Sequence, residues 1–263
     1  MARAAMSAVA EEVERALCAA GSAERADHEK RYLKSALDHV GASVPAIRRA
    51  ARAVRRARPD LARGDVLALV EALWRRPVHE CRMAAVEVLD AYVDRLAAAD
   101  VAVVERVLRG ARTWALVDGL AAHVAGGLVE RFPELGSALD RWATDEDFWI
   151  RRAALLALLV PLREGRGDFA RFARYADAML EEEEFFVRKA IGWVLRDASR
   201  KDPTRVAAWL APRAARASGV TLREAVKYLA PRDRARILAA ARSPAKKRLT
   251  RPAHPRRNAA PPT

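Results

Sequence analysis

The sequence predicts an all-α protein, an α-solenoid in which helix pairs of roughly 40 residues stack side by side. Three observations predict it. The composition is rich in Ala, Arg, Leu and Glu, all good helix formers. No stretch alternates apolar and polar residues for long enough to argue a strand. Helical periods instead follow one another, separated by Pro, Gly or Asp. The length of 263 residues allows one large domain or two small ones, and 52% apolar residues exclude global disorder.

In order, the periodicity places helices at 3–19, 23–37, 45–58, 63–75, 79–97 and 99–110, the last stopped by Gly110. The next spans 114–130 and is interrupted by Phe132-Pro133. Helices at 134–143 and 147–162 follow, the latter before the stop signal Gly165. Two more cover 168–180 and 184–200. Asp202-Pro203-Thr204 then places a capping Asp and a Pro at the start of a helix at 204–214. Helices at 221–229 and 232–241 end the series. So many short helices with short loops exclude a four-helix bundle. Trp-containing helices begin near 114, 147 and 184, about one helix pair apart, and none can bury its Ala/Leu/Val face alone. Identical repeats are not visible, so the pattern is HEAT-like. Residues 1–241 are expected to form a single domain with a concave binding surface.

Charge bounds the partner. The formal net charge is +14 and the pI near 10.7, which favours a polyanion such as nucleic acid. Ile47 to Arg63 contains seven arginines against Asp60 alone, a net of +6. Ser243 to Thr263 adds another +6 with no acid. Residues 242–263 are therefore expected to be a disordered basic tail that binds polyanions without specificity. Arg48, Arg52 and Arg55 share a helix face, with Val44, Ile47 and Val54 near the other side. That face is either simply solvated or contacts phosphate; an uncompensated Arg cluster favours phosphate.

Other classes are argued against. Cys18 and Cys81 are too few for a disulfide scaffold or a Cys-based zinc site. Acidic residues at the N-terminus do not suit a signal peptide, and the longest apolar run, Ala153–Leu162, is about half a membrane span. The expectation is a cytoplasmic monomer. His79-Glu80 opens like a zincin motif, but Met83 stands where its second His belongs. The histidines at 28, 39, 79, 123 and 254 show no ligand spacing, so neither metal nor cofactor is expected.

Three aromatic clusters remain. Trp114 and Asp118 lie one turn apart. Trp149 and Arg152 share a face, and Phe185, Lys189 and Trp193 line up at intervals of four. Core packing is the simpler reading of Trp149, Phe185 and Phe186. Trp114 differs, because an unpaired buried carboxylate is costly and Asp118 must meet water, a cation or a ligand.

At these residues the sequence resembles the AlkD-type DNA alkylation repair proteins, HEAT-like-repeat DNA glycosylases. The resemblance covers roughly residues 25–230. It runs through Arg31-Tyr32-Leu33-Lys34 with Gly41 and Pro45, and through Leu73-Trp74 with Pro77 and Glu80. It continues in Trp114 to Asp118, Phe148 to Ala154, and the long stretch Glu184 to Arg196. The resemblance implies that Asp118 is the catalytic carboxylate and that Trp114 and Trp193 flank the lesion. It implies that Arg152 lies near the lesion's phosphate backbone and that Tyr32 is a third pocket aromatic. One departure is Ser43, where some relatives carry Gln. Lys189, Ser43, Arg48, Arg52 and Arg55 stand as further candidate DNA contacts.

The implied activity is hydrolysis of the N-glycosidic bond of cationic N3- or N7-alkylated purines in double-stranded DNA, without base flipping. No lysine nucleophile is indicated, so the enzyme is expected to be monofunctional. A non-catalytic DNA-binding scaffold and a self-resistance glycosylase for one bulky adduct stay open at this point.

Overall fold

The computed structural model describes residues 2–242. The predicted basic tail lies outside the described residues except for Arg242. Among the described residues no β-strand forms, and Asp38 and Val78 make one isolated parallel bridge.

The chain opens with α1 (Ala2–Ala19), α2 (Ala23–Leu33), α3 (Val44–Ala57), α4 (Arg63–Trp74) and α5 (His79–Ala91). Next come α6 (Val101–Ala111), α7 (Trp114–Gly119), α8 (Gly126–Arg131), α9 (Gly136–Trp142) and α10 (Phe148–Leu156). The series continues with α11 (Leu159–Glu164), α12 (Phe169–Ala178), α13 (Phe185–Ala198), α14 (Pro203–Leu210), α15 (Gly219–Ala225) and α16 (Pro231–Ala241). Helices α3, α5, α7, α10, α13 and α15 pack in that order into one layer. Behind it, α1, α4, α6, α9, α12, α14 and α16 form a second. One hydrophobic core runs between them, from Met6 to Ile237. The molecule is an all-α solenoid, as the periodicity predicts.

Local chemistry sets the helix starts. Ser22, Ser43, Asp147, Asp168, Asp202 and Ser218 each accept a hydrogen bond from a first-turn N–H. Such caps are worth about 1 kcal/mol each. Asp202 and Pro203 act as expected.

Several predicted helices are shorter or broken. The helix predicted at 23–37 ends at Leu33, because Lys34 turns left-handed at φ 49°. The loop that follows is pinned at Gly41 (φ 76°), where a Cβ would lie 2.1 Å from the Ser22 carbonyl oxygen. The helix predicted at 79–97 gives way after Ala91 to a short 3-10 turn. The one predicted at 147–162 breaks after Leu156, since the Pro161 ring cannot sit over the carbonyl one turn back. The helix predicted at 114–130 keeps its extent but contains a π turn, Leu120–Ala125, directly after α7.

The repeat is written in charge rather than in identical residues. Arginines reach carboxylates 34 to 39 positions away, one helix pair along the stack. Glu71 takes Arg106, Asp145 takes Arg109, Asp140 takes Arg174 and Asp177 takes Arg213, at 2.7–3.1 Å. Glu105 accepts from Arg109, Arg141 and the buried Trp142 indole N–H. An exposed pair contributes only about 0.2–1 kcal/mol, so the ladder serves register more than stability.

These partners hold several carboxyls below their ordinary range. Burial alone would raise Glu105, but its three donors outweigh burial and lower it. Glu71 behaves alike, and Asp145 and Asp177 are lowered chiefly by arginine hydrogen bonds. A carboxyl lowered by folding stabilises the fold above its unfolded value, and that contribution is lost as pH falls through the folded value. Thermal melts from pH 6 to pH 3 should therefore show a steep decline below about pH 4. Glu105→Gln should soften that decline and cost about 1–3 kcal/mol at pH 7. An unchanged acid profile would remove the ladder from the account of stability.

Candidate active site

The site begins at the α6–α7 turn. Arg112 is left-handed at φ 47°, which ends α6 and lets α7 start at Trp114. One helical turn later Asp118 points to the same side. Of the water, cation or ligand that Asp118 is expected to meet, a cation comes from the next layer helix. Arg152 on α10 donates Nε to Asp118 Oδ1 and Nη2 to Oδ2, each at 2.8 Å. Its Nη1 donates to the Phe186 carbonyl. Arg152 is 2% exposed, whereas the Asp118 side chain keeps 18%. The result is a carboxylate oriented by a planar fork, with one edge toward solvent.

Aromatic rings frame that edge. The exposed Tyr32 ring meets Trp114 edge-to-face at 6.2 Å. Trp193 on α13 comes from the other side, with the Arg196 guanidinium 6.0 Å from its ring centroid. Phe185 lines the cleft and is 49% exposed, so its reading as core is corrected. It has the polar helix start beside it and Lys189 Nζ 5.8 Å over its ring. Trp149 does pack against the core and meets Phe186 at 4.9 Å, but Phe186 lines the cleft, so its reading as core is corrected as well.

These groups enclose an open cleft of about 630 Å³. A second, of about 480 Å³, shares Trp114, Asp118 and Trp193 and extends to Arg48, Arg52, His123 and Arg163. The cleft-bearing side of the layer is thus continuous from α3 to α15.

The expected basic face of α3 is partly neutralised. Arg48 pairs with Glu87 at 3.0 Å and Arg55 with Asp94 at 3.1 Å, the latter also lying over the Tyr92 ring. The carboxylates come from α5 and the turn after it, which is why sequence counting within 47–63 missed them. Arg52 makes no ion pair among the described residues. Ser43 stands at the start of α3 and accepts a hydrogen bond from Ala46 N–H at 3.4 Å. It does not line either cleft.

Glu224 was not anticipated. It reaches the cleft because Gly192 lets α15 approach α13; a Cβ there would sit 2.8 Å from the Thr221 carbonyl. Burial would raise the Glu224 carboxyl, but Lys227 and Arg196 hold it low. Its spacing from Lys227 reads as an ordinary surface pair, and the partner that ties it to the cleft, Arg196, is 28 residues away.

Chemically, the cleft offers a fixed negative charge beside aromatic faces, with Lys189 and Arg196 nearby. A flat cation suits the first pair and a phosphate the second.

The family model for DNA alkylation repair enzymes matches residues 13–229. The fold is similar to that of a predicted DNA alkylation repair enzyme from Enterococcus faecalis, at 23% identity and TM-score 0.72. That similarity covers 80% of this chain and 97% of the other. It is also similar to AlkD2 from Streptococcus mutans, at 18% identity and TM-score 0.56, covering 71% and 90%. The smu.31 protein of Streptococcus mutans UA159 matches at 18% identity and TM-score 0.58, covering 84% and 100%. No curated protein matches the sequence.

Proposed function

The chain belongs to the DNA alkylation repair enzyme family, and from that premise we propose a monofunctional DNA glycosylase acting on cationic N3- and N7-alkylated purines. The observation that carries this reading is Asp118, held by the Arg152 fork with one edge open between Trp114 and Trp193.

An alkylated purine cation is already a good leaving group. Breakage of its glycosidic bond leaves the electron pair on the base and positive charge on the sugar. A preorganised carboxylate stabilises that charge and orients the water that adds to the sugar. The products are the neutral base, an abasic site and a proton. The Trp114 and Trp193 rings attract the cationic nucleotide, at about 0.5–2 kcal/mol per contact. Arg152 acts as a positioning residue rather than the phosphate-side contact the resemblance implies, since its buried head group acts through Asp118. Lys189 and Arg52 supply phosphate contacts along the cleft-bearing face. The open cleft takes a nucleotide at the duplex surface, without a closed pocket for a flipped base.

The cleft volume favours a second substrate group. A space of about 630 Å³ lies within the range of roughly 300–1,000 Å³ that accepts drug-sized ligands. Bulky N3 or N7 adducts therefore fit as well as methyl lesions. Single-turnover release of 3-methyladenine, 7-methylguanine and a bulky adduct from duplex DNA tests the assignment. Release of none of them by folded protein would overturn it and favour a non-catalytic DNA-binding role.

Trp114→Ala and Trp193→Ala should each reduce the preference for cationic over uncharged lesions by about 2- to 30-fold, the equivalent of one cation–π contact. Equal loss on undamaged DNA would mark the rings as structural. Deleting 243–263, which lies outside the described residues, removes six cations. The salt slope of DNA binding should flatten by up to about 5, with the single-turnover rate unchanged at saturating protein. A collapsed rate would place the tail in the chemistry.

A further inference from the structure

We propose that Glu29, His39 and Glu80 form a binding site for one divalent transition-metal ion of the zinc type, separate from the cleft chemistry. The three come from α2, the loop after it and the first turn of α5. One ligand-competent atom from each lies within 4.8 Å of the others. No sequence spacing announces the group, because Glu80 is 41 positions from His39.

The surroundings are those of a site with its cation still to be accounted for. Glu80 is fully buried and accepts only backbone N–H groups, from Val40 at 3.1 Å and Gly41 at 2.6 Å. It makes no ion pair with Lys or Arg among the described residues. The nearby Lys30 turns to Asp38 instead, at 3.4 Å. Glu29 gives one oxygen to Arg25 Nε at 2.8 Å and keeps the other. Both ring nitrogens of His39 are shielded, and neither has a hydrogen-bond partner among the described residues. His79, 2% exposed, stacks on the His39 ring at 4.6 Å and also has an unpartnered Nδ1. Shielding both nitrogens of an imidazole without partners is costly, and so is a buried carboxylate beside a second one.

A divalent ion resolves these costs together. It takes a lone pair from His39 and one oxygen from each carboxylate, and it neutralises their charge. One imidazole with two carboxylates suits zinc, with manganese the nearest competitor. Two ligands at about 2.1 Å from a tetrahedral ion stand roughly 3.4 Å apart, within a rotamer adjustment of the observed spacing. The Val40 and Gly41 N–H groups already orient Glu80, as outer-shell donors do at metal sites. The ion would tie α2 to α5 through the loop pinned at Gly41. Tyr32, three residues beyond Glu29 on α2, would thereby be fixed at the mouth of the cleft.

The test uses the untagged full-length protein, stripped with chelator and titrated with zinc and with cobalt(II). The expected result is one equivalent bound, read by elemental analysis after gel filtration and by cobalt d–d absorption. Zinc should also raise the melting temperature. His39→Ala and Glu29→Gln should weaken binding about tenfold or more, and His123→Ala should leave it unchanged. Melts in chelator confirm that each variant folds, and Glu29→Gln covers the case in which His39→Ala does not. Substoichiometric binding to wild type, or equal affinity in Glu29→Gln, would overturn the proposal. Glycosylase activity is not the readout, so this outcome stands apart from that of the proposed reaction.

Discussion

Asp118→Asn is expected to slow single-turnover base release by about 100- to 1,000-fold, the usual loss when one preorganised electrostatic stabiliser is removed. DNA affinity should stay within a factor of about two, because the cations proposed to contact phosphate are untouched. The substitution is not silent for stability. Arg152 is 2% exposed and loses its only charged partner when the amide replaces the carboxylate, keeping one neutral amide oxygen and the Phe186 carbonyl as acceptors. Leaving a buried charge without its partner costs about 3–5 kcal/mol. Rates must therefore be measured well below the variant's melting temperature. A full rate from folded Asp118→Asn would end the assignment of Asp118 as the catalytic carboxylate.

Arg152→Gln should show the second largest effect, and on stability first. Removing one partner of a buried pair costs about 3–5 kcal/mol; the Asp118 edge at 18% exposure reduces this to about 2–4 kcal/mol. Activity should also fall, since among the described residues nothing else holds both carboxylate oxygens. The double variant Asp118→Asn/Arg152→Gln separates the two roles. It should recover part of the stability, because two amides can bond each other, and none of the rate. Additive losses in stability would mean that the fork and the carboxylate do not act as a unit. Full activity in Arg152→Gln would show that Asp118 needs no such positioning.

What sequence showed of this molecule was local. Trp114 and Asp118 are one turn apart, so their shared face could be read from spacing alone. Asp202 and Pro203 mark a helix start by their own chemistry. The misreadings concern what neighbours do. Arg152 and Asp118 meet across 34 residues, and the expectation that Asp118 meets water, a cation or a ligand did not say which. The arginines of α3 looked uncompensated because Glu87 and Asp94 belong to another part of the chain. Glu224 depends on the close approach at Gly192, which leaves no trace in hydrophobic period. Phe185 shows the opposite case: its spacing fits a core stripe, but the helix begins there and its face opens to the cleft.

The π turn after α7 has a historical and a mechanical meaning. A π turn is an α-helix carrying one surplus residue. Each residue advances an α-helix by about 100°, so a surplus residue in a regular helix would rotate one end against the other. The widened turn at residues 120–125 absorbs it locally and leaves the faces on either side in register. Leu128 beyond the turn stays fully buried, while Trp114 and Asp118 before it line the cleft. The surplus is thus confined to a stretch that carries neither role, and losing that one residue would regularise the helix without turning the carboxylate away from the cleft.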